Sequence, residues 1–319
     1  MLGFSTLLSG VLMFALLIIP GYILGRIKLI ERGALNSMTN ILMYVAMPFL
    51  VFTKLIATDL YAIDPIHILL AALSPFVVFG AIMLLSEKTF RAREGDRRYR
   101  ASRFCSIFSN AGFLGIPLSE VLFPDRPEIS VYVSLFNVGS TFFLLTVGVY
   151  ILSGDRRDIS FRRAILSPIM ASIVIGVLFS LLGVVDYVPK IANYADILAS
   201  LTTPLSMIVL GVEMSGIPFS AFVKTPLLYL VSFMKLVLSP LVMIAILLLL
   251  GLCGLAVPSE LQAALFIATA VSSAASSSAM TKKYGGDGEY AAILTIGTTL
   301  LCAVSFPLLY LLASALLGW

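Results

Sequence analysis

Ten apolar runs follow one another along the chain, near residues 5–25, 34–57, 66–86, 101–123, 129–153, 164–185, 195–215, 226–251, 260–281 and 289–316. A bilayer core about 30 Å thick is crossed by roughly 20 helical residues, so each run is long enough to span it. Of the 319 residues, 60% are hydrophobic and only 12% charged, where a soluble domain carries roughly a quarter charged. An ordinary soluble enzyme is excluded, and the short connections leave no room for a soluble domain of normal size. The first run lacks a basic leading segment and ends in Ile-Pro-Gly-Tyr rather than at a small-residue cleavage site, so it reads as a mature helix. Cys105, Cys253 and Cys302 lie in or beside apolar runs without metal-ligand spacing, and the single histidine, His67, offers them no partner.

The formal charge of +4 acquires its meaning from placement. Of the 21 Lys and Arg, all but four fall in alternate connections: Arg26 to Arg32, Lys88 to Arg103, Arg156 to Arg163, Lys224, and Lys282 with Lys283. The opposite connections hold Arg126 and Lys190, while Lys54 and Lys235 lie inside spans. By the positive-inside rule the crowded side is cytoplasmic, which places both termini outside a cell inner membrane crossed ten times. These basic runs are topology signals. Nucleic-acid binding would require aromatic interleaving and a fold to present it, and contact with anionic lipid is the better secondary use.

Pro48 in the second span and Pro204 in the seventh are about 160 positions apart, as are Glu128 opening the fifth and Glu289 opening the tenth. The offset drifts little over half the chain, which is the pattern of a duplication of five spans. An odd number of spans forces the copies into opposite orientations, a construction used by many secondary transporters. The expected division is residues 1–153 as the first copy, 154–163 as a short cytoplasmic link and 164–319 as the second copy. The expected fold is all-α, a five-plus-five inverted repeat with crossed broken helices.

In such a fold the informative residues are helix breakers inside spans. The fourth span reads Ser109-Asn110-Ala-Gly112-Phe-Leu-Gly115-Ile-Pro117. Pro117 removes a donor and clashes with the Phe113 carbonyl, and the glycines allow unwinding. Freed amides at a helix N-terminus favour an anion, so a carboxylate suits them, with Asn110 adding a neutral contact. A plain proline kink is the competing reading. The ninth span has no proline, but Ser272, Ser273, Ser276, Ser277 and Ser278 crowd it. For any one serine, close packing and site-lining weigh equally; the cluster as a whole favours the site.

These residues resemble the auxin efflux carrier family, which includes plant auxin exporters and bacterial permeases for malate or other organic acids. The matching motifs are Asn110 ahead of Gly115-Ile-Pro117-Leu, Pro48-Phe-Leu-Val-Phe, Lys-Lys-Tyr284-Gly-Gly-Asp287 and Ser305-Phe-Pro307-Leu, spread over nearly the whole chain. The resemblance implies a fold related to bile-acid symporters and sodium/proton antiporters, with a scaffold, a mobile transport domain and a homodimeric state in many members. It also implies a substrate carboxylate at the crossing of the fourth and ninth spans, near Asn110, Pro117 and Asn137. The family commonly carries proline in the ninth span, where this chain has Ser272 and Ser277, so the second break is expected to come from serine-rich backbone or to be milder. The short 154–163 link fits a bacterial-type permease better than the plant relatives with their long loop.

Charge within a span is costly and is a functional hypothesis by default. Lys54 and Glu120 lie near outer ends, and Glu213 near an inner one, where long side chains reach the interface. Lys235 lies about nine residues into its span, roughly 13 Å deep. There a snorkelling lysine and a counter-ion or coupling lysine are equally compatible. Asn137 lies mid-span, and its counterpart positions in the second copy are Thr298 and Thr299. No mid-span Asp pair of the kind a proton antiporter would use is present.

The expectation is a secondary carrier of small organic anions, auxin-like monocarboxylates or malate-like dicarboxylates. The candidate substrate residues are Asn110, Gly115, Pro117, Asn137, Ser272, Ser273, Ser276 and Ser277, with Lys235 as coupling residue or counter-ion. The partners are the organic anion and the lipid bilayer, with no nucleic acid. No cofactor or resident metal is expected, although carbonyls and hydroxyls of broken helices are compatible with a sodium ion. Two alternatives remain open: a sodium-coupled symporter of a larger organic anion, and a sensor or scaffold that keeps the fold without flux. A membrane enzyme is disfavoured, since neither a His-Glu-x-x-His nor a Gly-x-Ser-x-Gly pattern occurs.

Overall fold

The computed structural model describes residues 4–30, 32–90, 96–159, 166–184 and 189–318. Arg91, Arg93, Arg162 and Arg163 of the basic runs, and parts of the expected link and sixth span, lie outside the described residues. In chain order the main helices are α1 (Phe4–Arg26), α2 (Arg32–Ile41, a π turn Leu42–Ala46, then Met47–Ile56) and α3 (Pro65–Phe90). The interrupted α4 follows, with α4a at Arg97–Ile107 and α4b at Ala111–Leu122. Next come α5 (Pro127–Ser153), α6 (Pro168–Leu181) and α7 (Pro189–Ala199 and Thr202–Ser215). The last are α8 (Leu227–Leu252), α9a (Ser259–Ala270), α9b (Ser277–Lys283) and α10 (Gly288–Leu317).

Among the described residues, six helices are long and apolar enough to cross a membrane: α2, α3, α5, α7, α8 and α10. Shorter apolar helical stretches lie at Leu16–Arg26, Ala111–Leu122 and Pro168–Leu181. Polar caps start several helices at the ends of the apolar runs. The side chains of Asp96, Ser167 and Asp287 accept from the amides of Arg98, Met170 and Tyr290, satisfying donors that the first turn leaves bare.

Side-chain size decides which helices pack closest. A Cβ on Gly21 of α1 would overlap the Ile208 carbonyl of α7, and one on Gly211 of α7 would overlap the Ile18 carbonyl of α1, so these helices touch backbone to backbone. Phe52 packs edge-on against Phe179, and Phe49 against Tyr194, joining α2 to α6 and α7. α1, α2, α6 and α7 thus form one group of helices. In the other group Gly139 of α5 lies against the Ala72 carbonyl of α3. Phe79, Phe108, Phe136 and Phe143 form an aromatic core between α3, α4 and α5, while Phe266, Phe306 and Tyr310 join α9a to α10.

Prolines behave differently from the expectation that Pro117 breaks α4. The helix stops at Phe108, well before it, and Pro117 begins regular α-helix directly after the π turn Ala111–Gly115. Pro48 follows the π turn in α2, and Pro240 follows another at Phe233–Leu238 in α8. A wider turn with its i→i+5 bonding lies just where a proline would otherwise clash with a carbonyl and lack a donor, so these prolines are absorbed without a break.

Candidate functional site

Both α4 and α9 come apart in mid-course, and the loose ends pair with each other. Phe108 is extended (φ −83°, ψ 133°), as is Val271 (φ −75°, ψ 166°). Between them Ser109 and Ser273 form an isolated antiparallel bridge, closed by Asn110 N–H to Ser272 O at 2.9 Å and Ala274 N–H to Phe108 O at 3.0 Å. The ninth span is therefore fully interrupted without proline. Extended backbone at Val271–Ser273 ends α9a, and the partner strand supplies the lost hydrogen bonds.

The hydroxyls complete the pairing. Ser109 Oγ donates to the Ala268 carbonyl at the end of α9a, and Ser273 Oγ donates to the Cys105 carbonyl near the end of α4a at 2.7 Å. The Ser273 amide donates to Thr298 Oγ1 of α10 at 3.2 Å. Several amides expected to be bare are thus engaged. The first-turn amides of α4b, on Ala111, Gly112 and Phe113, find no acceptor among the described residues. The Asn110 carbonyl instead receives Leu114 N–H and Gly115 N–H at 3.0 and 3.1 Å.

Asn110 and Asn137 are only 5% and 8% exposed, and their carboxamides make no hydrogen bond among the described residues. Asn137 of α5 lies beside Gly112: a Cβ there would stand 3.1 Å from its Oδ1, 3.2 Å from its Nδ2 and 3.0 Å from the Met47 methyl of α2. Gly112 therefore sits where the two groups of helices meet. The Asn137 carboxamide and the N-terminus of α4b, with Asn110 at its N-cap, meet there, an arrangement suited to an acceptor-rich, negatively charged guest.

The other sequence-predicted residues divide by role. Gly115 and Pro117 are buried in α4b, with Gly115 against Val133 of α5. The hydroxyls of Ser273 and Ser277 are spent on the carbonyls of Cys105 and Ala274. The Ser272 hydroxyl is buried and has no partner among the described residues, while Ser276 is half-buried at the N-cap of α9b without a side-chain capping bond. Lys235 does not snorkel: it is fully buried, with Nζ 2.9 Å from the Thr269 carbonyl of α9a. Lys54 and Glu120, expected at the outer ends of their spans, pair with each other at 2.7 Å. Ser109 and Thr298 are part of the site, but sequence reasoning gave Ser109 no role; its position in the bridge opposite Ser273 is the feature that marks it.

The sequence pattern of the family described as "Membrane transport protein" matches residues 7–160 and, separately, residues 156–310. A protein of Methanothermobacter thermautotrophicus described as an uncharacterized transporter is 26% identical over 209 residues, covering 64% of this chain and 67% of the relative.

Proposed function

The chain belongs to the membrane transport protein family, and from that premise we propose that it is a secondary carrier of small organic anions. The cargo is an auxin-like monocarboxylate or a malate-like dicarboxylate, moved by alternating access around the crossing of α4 and α9. The observation that carries this reading is the set of groups left over at the crossing. The amides of Ala111, Gly112 and Phe113 and the carboxamides of Asn110 and Asn137 have no hydrogen-bond partner among the described residues. A carboxylate would accept from the amides at the positive end of the α4b dipole and from either carboxamide.

The family pattern's separate matches to the two halves, together with the reciprocal Ser109 and Ser273 hydroxyl bonds, support an inverted repeat of residues 1–153 and 164–319. In that arrangement the chain crosses the inner membrane ten times with both termini outside. α1, α2, α6 and α7 form the scaffold, and the remaining helices carry the site past Met47. Asn110 and Asn137 at the crossing are buried, and in this reading one group shifts against the other to admit cargo.

Reconstitution tests the reading. Proteoliposomes should take up or exchange at least one radiolabelled monocarboxylate or dicarboxylate saturably, and the same compound should raise the melting temperature of the purified protein. A carboxylate that binds but never crosses, under any ion gradient, would make the protein a sensor instead.

A further inference from the structure

Lys235 lies in the π turn Phe233–Leu238 of α8 and is wholly buried, yet no carboxylate among the described residues pairs with it. Its environment is a helix end. The last four carbonyls of α9a, left without intrahelical partners, are each answered. Ile267 O receives Val271 N–H at 3.3 Å, and Ala268 O receives Ser109 Oγ. Thr269 O receives Lys235 Nζ at 2.9 Å, and Ala270 O faces Cys302 Sγ at 3.6 Å. The ammonium thus stands at the negative end of a helix dipole, about half an elementary charge, inside the membrane. On α8 the hydroxyls of Ser232 and Ser239, about one turn either side of Lys235, are buried without a partner among the described residues, and so is that of Ser272 just beyond α9a. Carbonyl and hydroxyl oxygens are the ligand types that suit a hard cation. At the end of α4a the donors to Cys105 O and Phe108 O are the neutral Ser273 Oγ and Ala274 N–H.

We propose that the Lys235 ammonium is a tethered substitute for an alkali-metal cation at the C-terminal end of α9a, so that the crossing is charged in advance and the carrier needs no sodium. The charge holds the broken end of α9a in place and offsets the negative charge of the cargo; this last step rests on the anion-carrier reading. The lysine acts as a positioning residue. The π turn adds a residue to one turn of α8, which re-aims the side chains it contains.

Melting temperatures of the purified protein in equal concentrations of NaCl, KCl and choline chloride provide the test. Wild type should melt at the same temperature in all three, and a specific, saturable stabilisation by sodium would overturn the proposal. Lys235→Ser, which opens space and adds an oxygen, should melt roughly 5 °C lower in choline chloride and recover most of the loss in NaCl or KCl. A wild-type melting temperature for this variant, or a loss that neither salt restores, would overturn it. Should Lys235→Ser fail to fold, Lys235→Gln decides, because its carboxamide keeps a donor for Thr269 O without the charge. It should melt well below wild type, and equal stability would overturn the proposal. These measurements read stability without cargo, so they stand or fall separately from the uptake assay.

Discussion

Ser109 and Ser273 face each other across an antiparallel bridge, and each gives its hydroxyl to a terminal carbonyl of the helix preceding the other: Ser109 to Ala268, Ser273 to Cys105. In hydrocarbon an unanswered carbonyl costs several kcal/mol, so a helix can stop there only if something else bonds its end. Two broken helices solve the problem for one another. A helix pair that ends in this way is bonded as one unit.

Ser109→Ala and Ser273→Ala should each cost about 1–3 kcal/mol, since each strands a buried acceptor. The double variant should lose less than the sum, because breaking one hydroxyl bond already loosens the bridge that positions the other. Melting curves in detergent followed by far-ultraviolet circular dichroism would check both points. Additive losses would mean that the two bonds are independent.

Asn110→Ala should weaken binding of the most stabilising carboxylate about tenfold, the equivalent of one lost hydrogen bond to a charged group. The ligand-free melting temperature should scarcely change, because the Asn110 carboxamide bonds nothing among the described residues. Asn137→Ala should behave alike. Asn110→Asp, nearly the same shape with a negative charge, should lose more affinity than Asn110→Ala if the cargo is an anion and should not if it is neutral. Titration calorimetry on the three purified variants separates these outcomes.

The interruption of α4 was legible in the sequence because asparagine and glycine crowd a segment of an apolar run, but the credit given to Pro117 was misplaced. A proline's effect depends on the turn before it, and the π turn Ala111–Gly115 places Pro117 in the first turn of the helix that follows. The break in α9 was visible only as a surplus of serines. What ends that helix is a strand partner and a hydroxyl 159 positions away in sequence, and local pattern carries no trace of a contact so distant. Lys235 shows the same limit: its depth followed from counting residues, whereas its partner, the Thr269 carbonyl, is a product of tertiary packing.

Glycine substitutions should separate contact from flexibility. Gly211→Ala pushes a methyl group into the Ile18 carbonyl of α1 and should cost about 3 kcal/mol, enough to reduce the yield of folded protein in the membrane. Gly80→Ala on α3 meets nothing within 4 Å and should be neutral or stabilising by about 0.5–1 kcal/mol through helix propensity. Gly112→Ala is intermediate in stability, since the Met47 methyl can move, but it presses on the Asn137 carboxamide. Its loss should therefore appear in carboxylate affinity more than in melting temperature. Equal effects of Gly80→Ala and Gly211→Ala would contradict the backbone contact between α1 and α7.

Lys54, in the last turn of α2, bonds Glu120 of α4b at 2.7 Å, with side chains 20% and 31% exposed. It ties the group containing α1, α2, α6 and α7 to the helix that carries the crossing. A partly exposed pair of this kind contributes about 0.5–1 kcal/mol, so Lys54→Met and Glu120→Gln should each lower the melting temperature by only a degree or two. If the two groups slide past each other during transport, the pair must open in each cycle, and weakening it changes the balance between closed and open states. Uptake by either single variant should then differ from wild type by more than twofold at saturating substrate, an effect larger than the stability change alone would produce. The charge-exchanged double variant, Lys54→Glu with Glu120→Lys, should restore both properties. Singles that melt slightly lower yet transport at the wild-type rate would show that α2 and α4b keep their relative position throughout the cycle, and the moving boundary would then have to lie elsewhere.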